Sequence, residues 1–141
     1  MKRLVCLLIL GVLYRGHASA SEADAREVVP LPDTMRQHML GNMRDHLAAL
    51  HEILSALVRG KLDRAGDVAE QHLGMSSLTV HHAAPMAAHM PKEMQAIGTA
   101  MHHAASRFAM TAQEGDLARA LNGLSKVTEQ CVACHDAYRV H

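Results

Sequence analysis

Two cysteines and a histidine near the end of the chain are the residues best suited to carry chemistry. They form the motif Cys131-Val132-Ala133-Cys134-His135. On a helix, positions 131, 134 and 135 lie within one turn and on one face. Two thiols so placed can bond the two vinyl groups of one haem while the imidazole meets the iron. A histidine directly after the second cysteine is typical of c-type haem attachment, and we therefore predict one covalent haem with His135 as an iron ligand.

Other uses of a cysteine pair fit the chain less well. A structural zinc site needs further ligands at partner spacing, and the sequence has no second cysteine pair. A thioredoxin-like redox site needs surrounding strands, and the sequence shows no strand pattern. The third cysteine, Cys6, lies in an apolar run at the start of the chain and not at the expected cleavage point.

The first twenty residues are typical of a secretory signal. Lys2 and Arg3 precede an apolar run from Leu4 to Leu13, and Ala18-Ser19-Ala20 gives a small-x-small cleavage pattern. The run is too short to remain as a membrane span. We therefore predict a signal peptide over residues 1–20, a single domain over residues 21–141 and a periplasmic location.

Removal of the predicted signal peptide changes the charge balance of the chain. Three of the fourteen basic residues leave with it, so eleven remain against fourteen acidic ones. This mild acidity gives no reason to expect nucleic-acid binding.

The chain has one Phe, two Tyr and no Trp. Because aromatic side chains normally supply much of the buried area, we expect the haem to provide bulk to the core.

The rest of the chain has the periodicity of helices. We predict helices over Thr34–Arg59, over Leu62–Leu73, from Pro91 onward, and from a cap at Asp116 to about Arg139, with a less regular stretch over 75–90. Short connections predict an all-α, antiparallel four-helix bundle with the haem inside it, near the C-terminus. Three apolar stripes are expected to face the core: Leu40, Met43, Leu47, Leu50, Leu54 and Leu57; Met94, Ile97, Met101, Ala104 and Phe108; and Leu117, Leu121, Leu124, Thr128, Cys131, His135 and Tyr138.

The chain resembles the class II c-type cytochromes, the family of cytochrome c prime and its low-spin relatives. A haem motif on the last of four helices carries the resemblance, with Arg36-Gln37 and Arg59-Gly60 as further landmarks. It implies a bundle whose haem is held by the last helix and covered by the first. It also implies that the residue facing the iron decides the function: an apolar residue leaves a five-coordinate iron that binds nitric oxide or carbon monoxide, and Met gives an electron carrier.

Three methionines, Met35, Met39 and Met43, lie four residues apart on the first predicted helix. Counted from Arg36-Gln37, the family's facing residue falls at Leu40, beside Met39; counted from Arg59-Gly60, it falls near Met43. We predict Met43 as the distal ligand because it lies on the expected stripe, with Met39, placed on its flank, as the alternative. Met/His ligation raises the reduction potential of haem iron.

Histidines and arginines add further candidates. His46 could reach the haem pocket but is ranked lower because it is expected beside the stripe. Five further histidines lie in the middle of the chain: His81, His82, His89, His102 and His103. We interpret them as solvated positions. The alternative is a periplasmic copper-binding protein, because His and Met bind copper. From the family resemblance, Arg36 and Arg139 are candidates to pair with the haem propionates.

These observations together predict an exported one-electron carrier, with the gas-binding cytochrome and the copper-binding protein as alternatives. No catalytic constellation is present in the sequence, so we expect a carrier and not an enzyme. Its expected partners are periplasmic redox proteins, and the resemblance allows a homodimer.

Overall fold

The structure is a computed structural model that describes residues 24–140. The predicted signal peptide lies outside the described residues. Within residues 24–140, no helix combines the length and the apolar character needed to cross a membrane.

Five helices make up most of the described chain. They are α1 (Asp33–Val58), α2 (Leu62–His72), α3 (Ala83–Ala87), α4 (Lys92–Ala112) and α5 (Leu117–Ala137). The prediction of an all-α protein built on four main helices is confirmed, and their bounds agree with the expected ones to within two residues.

The helix ends follow the local signals in the sequence. Gly60 and Gly115 have φ values of 67° and 79°, a conformation that glycine adopts without a steric penalty, and each lies in the connection after a long helix. The Asp116 side chain accepts a hydrogen bond from the backbone N–H of Arg119 at 3.0 Å, and so caps the start of α5. These two turns allow α1 to be followed closely by α2, and α4 by α5.

The stretch between α2 and α4 is folded against its neighbours although it holds little regular structure. A short 3-10 turn spans Met75–Ser77, and the Met75 N–H donates to Ser106 Oγ of α4 at 3.0 Å. The Gln95 side chain donates to the carbonyls of Ala87 and Met90, both at 2.9 Å. This stretch is therefore tied to α4 at both ends.

Two short strands correct the expectation that the chain has none. β1 (Glu27–Val28) pairs in parallel with β2 (Tyr138–Arg139), and the Val29 N–H donates to the Arg139 carbonyl at 2.9 Å. The last helix was expected to reach about Arg139 but ends at Ala137, because the following two residues extend to make this pairing. The segment before α1 thereby lies beside the residues that follow the cysteine motif.

The helices pack unevenly. α4 packs along α5, and α2 packs against both α1 and α4, whereas α1 and α5 hardly approach each other. The main core, which we call the aliphatic cluster, fills the space between α1, α2, α4 and α5 and centres on Phe108. Nine of its seventeen buried residues are alanine, so the helices lie close together there.

Two of the three expected core stripes are confirmed only in part. Leu47 and Leu54 of α1 are 69% and 49% exposed, and Leu117 and Leu121 of α5 are also exposed. Met43, Leu50 and Leu57 of the expected α1 stripe do face the interior, together with residues that the prediction left out: Met39, His46, Ala49, Ile53 and Ala56. The prediction was wrong at these four leucines because it followed the leucines and passed over the alanines and the histidine. On α4, by contrast, Met94, Met101, Ala104 and Phe108 are buried as expected.

Candidate haem site

A cavity of about 480 Å³ opens where α1 and α5 face each other without packing. Such a volume is within the range of small-molecule and cofactor sites. α1 and α5 form two of its walls, α4 forms a third, and α3 with the residues after α5 closes it. Its surface is mainly apolar and rich in sulphur: Met39, Met43, Met86, Met90, Met94 and Met101 line it together with Cys131 and Cys134.

A larger, more open groove of about 1090 Å³ lies on another side of α1. It is lined by polar side chains that include Asp33, Asp45 and Glu52, and by neither cysteine. The cavity between α1 and α5 is therefore the one that the cysteine motif can serve.

Both cysteines of the motif face the cavity. Cys131 and Cys134 are half-buried, one helical turn apart on α5, and both are free thiols. The Cys131 thiol donates weakly to the Val127 carbonyl at 3.5 Å, and burial raises the pKa of each thiol. Both thiols are therefore in their neutral form at the wall of a cavity large enough for a cofactor.

His135 lies at the edge of the cavity and not on the buried stripe of α5. Its side chain is exposed, and the buried stripe passes through Leu124 and Val127 to the two cysteines. The His135 carbonyl accepts a hydrogen bond from Arg26 Nη1 at 3.3 Å. Arg26, which the sequence analysis missed, therefore ties the segment before α1 to the end of the motif.

The α1 wall places several candidate ligands opposite the motif. Met39, Leu40, Met43 and His46 all line the cavity, and Met39 is only 8% exposed. The expectation that Met39 lies on a flank was therefore wrong, as was the placement of His46 beside the stripe. Met43 lies between Met39 and His46, one helical turn from each.

Three imidazoles form part of the same wall, and we call them the imidazole cluster: His46, His81 and His102. The ring centroids of His46 and His81 are 4.8 Å apart, those of His81 and His102 5.8 Å, and those of His46 and His102 6.2 Å. Burial, followed by the neighbouring rings of His81, His102 and His135, lowers the pKa of His46 to about 3. Burial likewise lowers the pKa of His81 and of His102, so all three are neutral at pH 7.

The histidine pairs of the middle of the chain divide between interior and surface. His81 and His102 are each only 8% exposed, while their neighbours His82 and His103 are exposed. The interpretation of His81 and His102 as solvated side chains was therefore wrong. No sequence pattern distinguishes the members of each pair, since burial depends on the fold of the stretch after α2.

The predicted propionate partners lie in different places. Arg139 lines the cavity, and its Nε is 3.6 Å from Asp24 Oδ2. Arg36 pairs with Asp33 at 3.0 Å and is not among the residues that line the cavity. Arg26 does line it, and donates to Asp24 Oδ2 at 2.7 Å.

Comparison with known families agrees with this geometry. The family model described as Cytochrome C' matches residues 34–139, which spans α1 to β2. The chain belongs to the cytochrome c′ family. No curated protein and no solved structure matches the chain. Membership means that this cytochrome binds covalently attached haem c, and the sulphur-rich cavity beside Cys131 and Cys134 fits such a group.

Proposed function

We propose that this cytochrome is an exported monohaem carrier of single electrons, its iron bound by His135 and by a thioether of α1. The haem, attached through Cys131 and Cys134, supplies a one-electron iron couple when bound. The observation that carries the proposal is the α1 wall, which places two methionine side chains on the cavity that contains both cysteines.

The surrounding residues suit electron transfer. Apolar and thioether side chains make up most of the wall, which keeps water from the cofactor and lowers the local dielectric constant. A thioether is a soft ligand that suits haem iron, and Met/His ligation raises the reduction potential.

We propose Met43 as the distal ligand, with Met39 as the alternative. Met43 occupies the middle of the part of α1 that lines the cavity, and it is partly buried against a cluster that includes Cys134. Met39 is more deeply buried in the same cluster, so it suits a packing role. The short connections after α1 and before α5 support the antiparallel bundle that this opposition of α1 and α5 requires.

A second candidate is the five-coordinate, gas-binding form of the family. Leu40 also lines the cavity, and it is the residue reached by counting from Arg36-Gln37. If Leu40 faces the iron, the sixth position stays open to nitric oxide or carbon monoxide. Export stays a prediction, because the predicted signal peptide lies outside the described residues. The periplasmic redox partners and the homodimer stay predictions as well.

Substituting Met43 and Met39 in turn distinguishes the six-coordinate electron carrier from the five-coordinate gas-binding form. Met43→Ala is expected to open the sixth position, so that the iron becomes high-spin and the reduced protein binds carbon monoxide at once. Met39→Ala is expected to keep the wild-type spectrum and to lose about 2–5 kcal/mol of stability through the cavity it leaves. Absorption spectra of both variants, recorded before and after carbon monoxide is added, make the comparison.

Each other outcome leads to a different assignment of the sixth position. If Met39→Ala opens the iron and Met43→Ala does not, Met39 is the ligand. If neither variant changes the iron and the wild type already binds carbon monoxide, the five-coordinate form with Leu40 over the iron is correct. Leu40→Ala serves as the matched control, since loss of an apolar side chain leaves a thioether ligand in place.

A further inference from the structure

Arginine side chains reach the cavity at one place, where the segment before α1 meets the residues that follow α5. Arg26 and Arg139 line the cavity there, and no other arginine or lysine of the described residues does so. No aspartate or glutamate of that part of the chain lines it either. The haem that family membership assigns to the cavity carries two propionate groups, and a carboxylate removed from water without a partner costs free energy. The two arginines are therefore the available cationic partners for a propionate.

Arg139 has a hydrogen-bond donor that no group of the described chain satisfies. Its Nε is buried and has no hydrogen-bond partner within residues 24–140. Asp24 Oδ2 lies 3.6 Å from it, which is too long for a hydrogen bond. A buried donor left without an acceptor is costly and rare in native proteins. Because Arg139 lines the cavity, a ligand held in the cavity can supply that acceptor.

Asp24 holds the side chain of Arg26 in place beside the motif. Arg26 Nε donates to Asp24 Oδ1 at 2.9 Å, and Arg26 Nη2 donates to Asp24 Oδ2 at 2.7 Å. This two-point pairing fixes the plane of the guanidinium group. Nη1 makes only the 3.3 Å bond to the His135 carbonyl, so its second N–H is left to donate elsewhere. Asp24 lies beside both arginines, which shows that the pair accommodates a carboxylate.

The backbone keeps the two arginines together. Arg26 immediately precedes β1, and β1 pairs with β2, which contains Arg139. Val29, the residue after β1, is 2% exposed and packs in the cluster that includes Met39. The segment before α1 is thus anchored on both sides of Arg26. Arg36, the candidate taken from the family resemblance, does not line the cavity.

We propose that Arg26 and Arg139 together bind one haem propionate, so that the segment before α1 fastens the edge of the haem to the end of α5. Guanidinium groups suit a carboxylate because each presents several N–H donors in one plane. The proposal rests on the covalent haem of the proposed function and not on the residue that fills the sixth position. A cation beside a propionate also raises the reduction potential, because it destabilises the oxidised, more positive haem.

The resonance Raman spectrum of the holoprotein tests the contact, because the bending frequency of a propionate rises with the strength of its hydrogen bonds. We expect that frequency and the reduction potential to fall in both Arg26→Gln and Arg139→Gln. Arg36→Gln is the matched control and is expected to change neither. Arg26→Lys keeps the charge but not the planar fork, so it should keep most of the potential while the propionate frequency falls.

Asp24→Asn distinguishes propionate binding from a merely structural role of Arg26. Removing this negative charge should raise the potential, opposite to Arg26→Gln, whereas both variants would move it in the same direction if Arg26 only anchors the segment through Asp24. That shared direction overturns the proposal, as does an unchanged propionate frequency in Arg26→Gln or an equal change in Arg36→Gln.

Two features keep this test decisive. If Arg139→Gln does not mature, the substitution at the exposed Arg26 carries the test. The spin-marker bands of the same spectra report the coordination of the iron. A five-coordinate wild type would therefore contradict the electron carrier and leave the test of the propionate contact intact.

Discussion

The aliphatic cluster and the cavity are built from opposite kinds of side chain. The first is dominated by alanine around one phenylalanine, and α2 and α4 approach so closely that a methyl group on Gly66 would lie 2.8 Å from the Ala109 carbonyl oxygen. The second is lined by six methionines and three histidines of the imidazole cluster, and α1 and α5 stay apart across it. One end of the protein is thus closed by its own side chains, and the other leaves room for a cofactor.

This difference shows why so few aromatic residues suffice. Small side chains reach native packing density when helices lie close together, so the aliphatic cluster needs only Phe108 as a large residue. At the cavity end the missing bulk is the size of a cofactor. Flexible thioether side chains adapt to an irregular bound surface better than branched ones. The two ends should therefore respond differently to loss of the haem and to core substitutions.

The largest effect is expected from loss of the attachment thiols. Cys131→Ala combined with Cys134→Ala should leave no haem on the chain after denaturation, which intact mass after acid–acetone extraction measures. Hydrogen exchange of this variant should be at least tenfold faster for amides that line the cavity, while those around Phe108 keep their protection. Uniform loss of protection would show that the two regions form one cooperative unit.

The next effect concerns the aliphatic cluster. Phe108 is fully buried, so Phe108→Ala should lower the free energy of unfolding by about 3–5 kcal/mol. The haem spectrum should stay unchanged, because Phe108 does not line the cavity. Denaturant unfolding measures the loss, and the exposed Met110→Ala should change stability by less than about 0.5 kcal/mol. A changed haem spectrum in Phe108→Ala would contradict the separation of the two regions.

A smaller effect is expected at the contact between α2 and α4. Gly66→Ala should cost about 1–3 kcal/mol, since the added methyl group meets a backbone carbonyl that cannot move aside cheaply. The helical Gly41 of α1 is the matched control, because nothing lies within 3.9 Å of an added methyl group there. Gly41→Ala should raise stability by up to about 1 kcal/mol through helix propensity. Equal thermal stability of the two variants would argue against close packing at Gly66.

The smallest effect is expected at the cavity's outer edge. Arg26 holds the pKa of the Asp24 carboxyl well below its usual range, so this pairing contributes at neutral pH and is lost as the pH falls below about 3.8. Asp24→Asn should lower the thermal midpoint slightly at pH 7 and make no difference once the carboxyl is protonated. Thermal unfolding of the wild type and the variant, followed from pH 7 down to the pH at which the carboxyl is protonated, measures the difference in midpoint. A deficit that persists at low pH would assign Asp24 a role other than charge pairing.

The sequence predicted the four main helices because each begins or ends at a clear local signal. Gly60, Gly115 and Asp116 act within a few residues of themselves, and each lies at a helix end in the structure. The motif from Cys131 to His135 is likewise defined by neighbouring residues alone. These features need no knowledge of distant contacts.

Other features depend on contacts between distant residues, and the sequence did not reveal them. Extension of Tyr138–Arg139 requires β1, about 110 residues earlier, to lie beside it. Burial of His81 but not His82 depends on the turn held by Asn42 of α1. Part of the α1 stripe was wrong because Ala49 and Ala56, and not Leu47 and Leu54, face the closely packed helices.

The absorption spectrum of the oxidised wild-type holoprotein, with carbon monoxide added after reduction, tests the central claim most directly. We predict a low-spin spectrum with a thioether-to-iron band at its red end, and no rapid binding of carbon monoxide by the reduced protein. A high-spin oxidised spectrum without that band, together with immediate carbon monoxide binding, would contradict the account and show that no methionine of α1 reaches the iron.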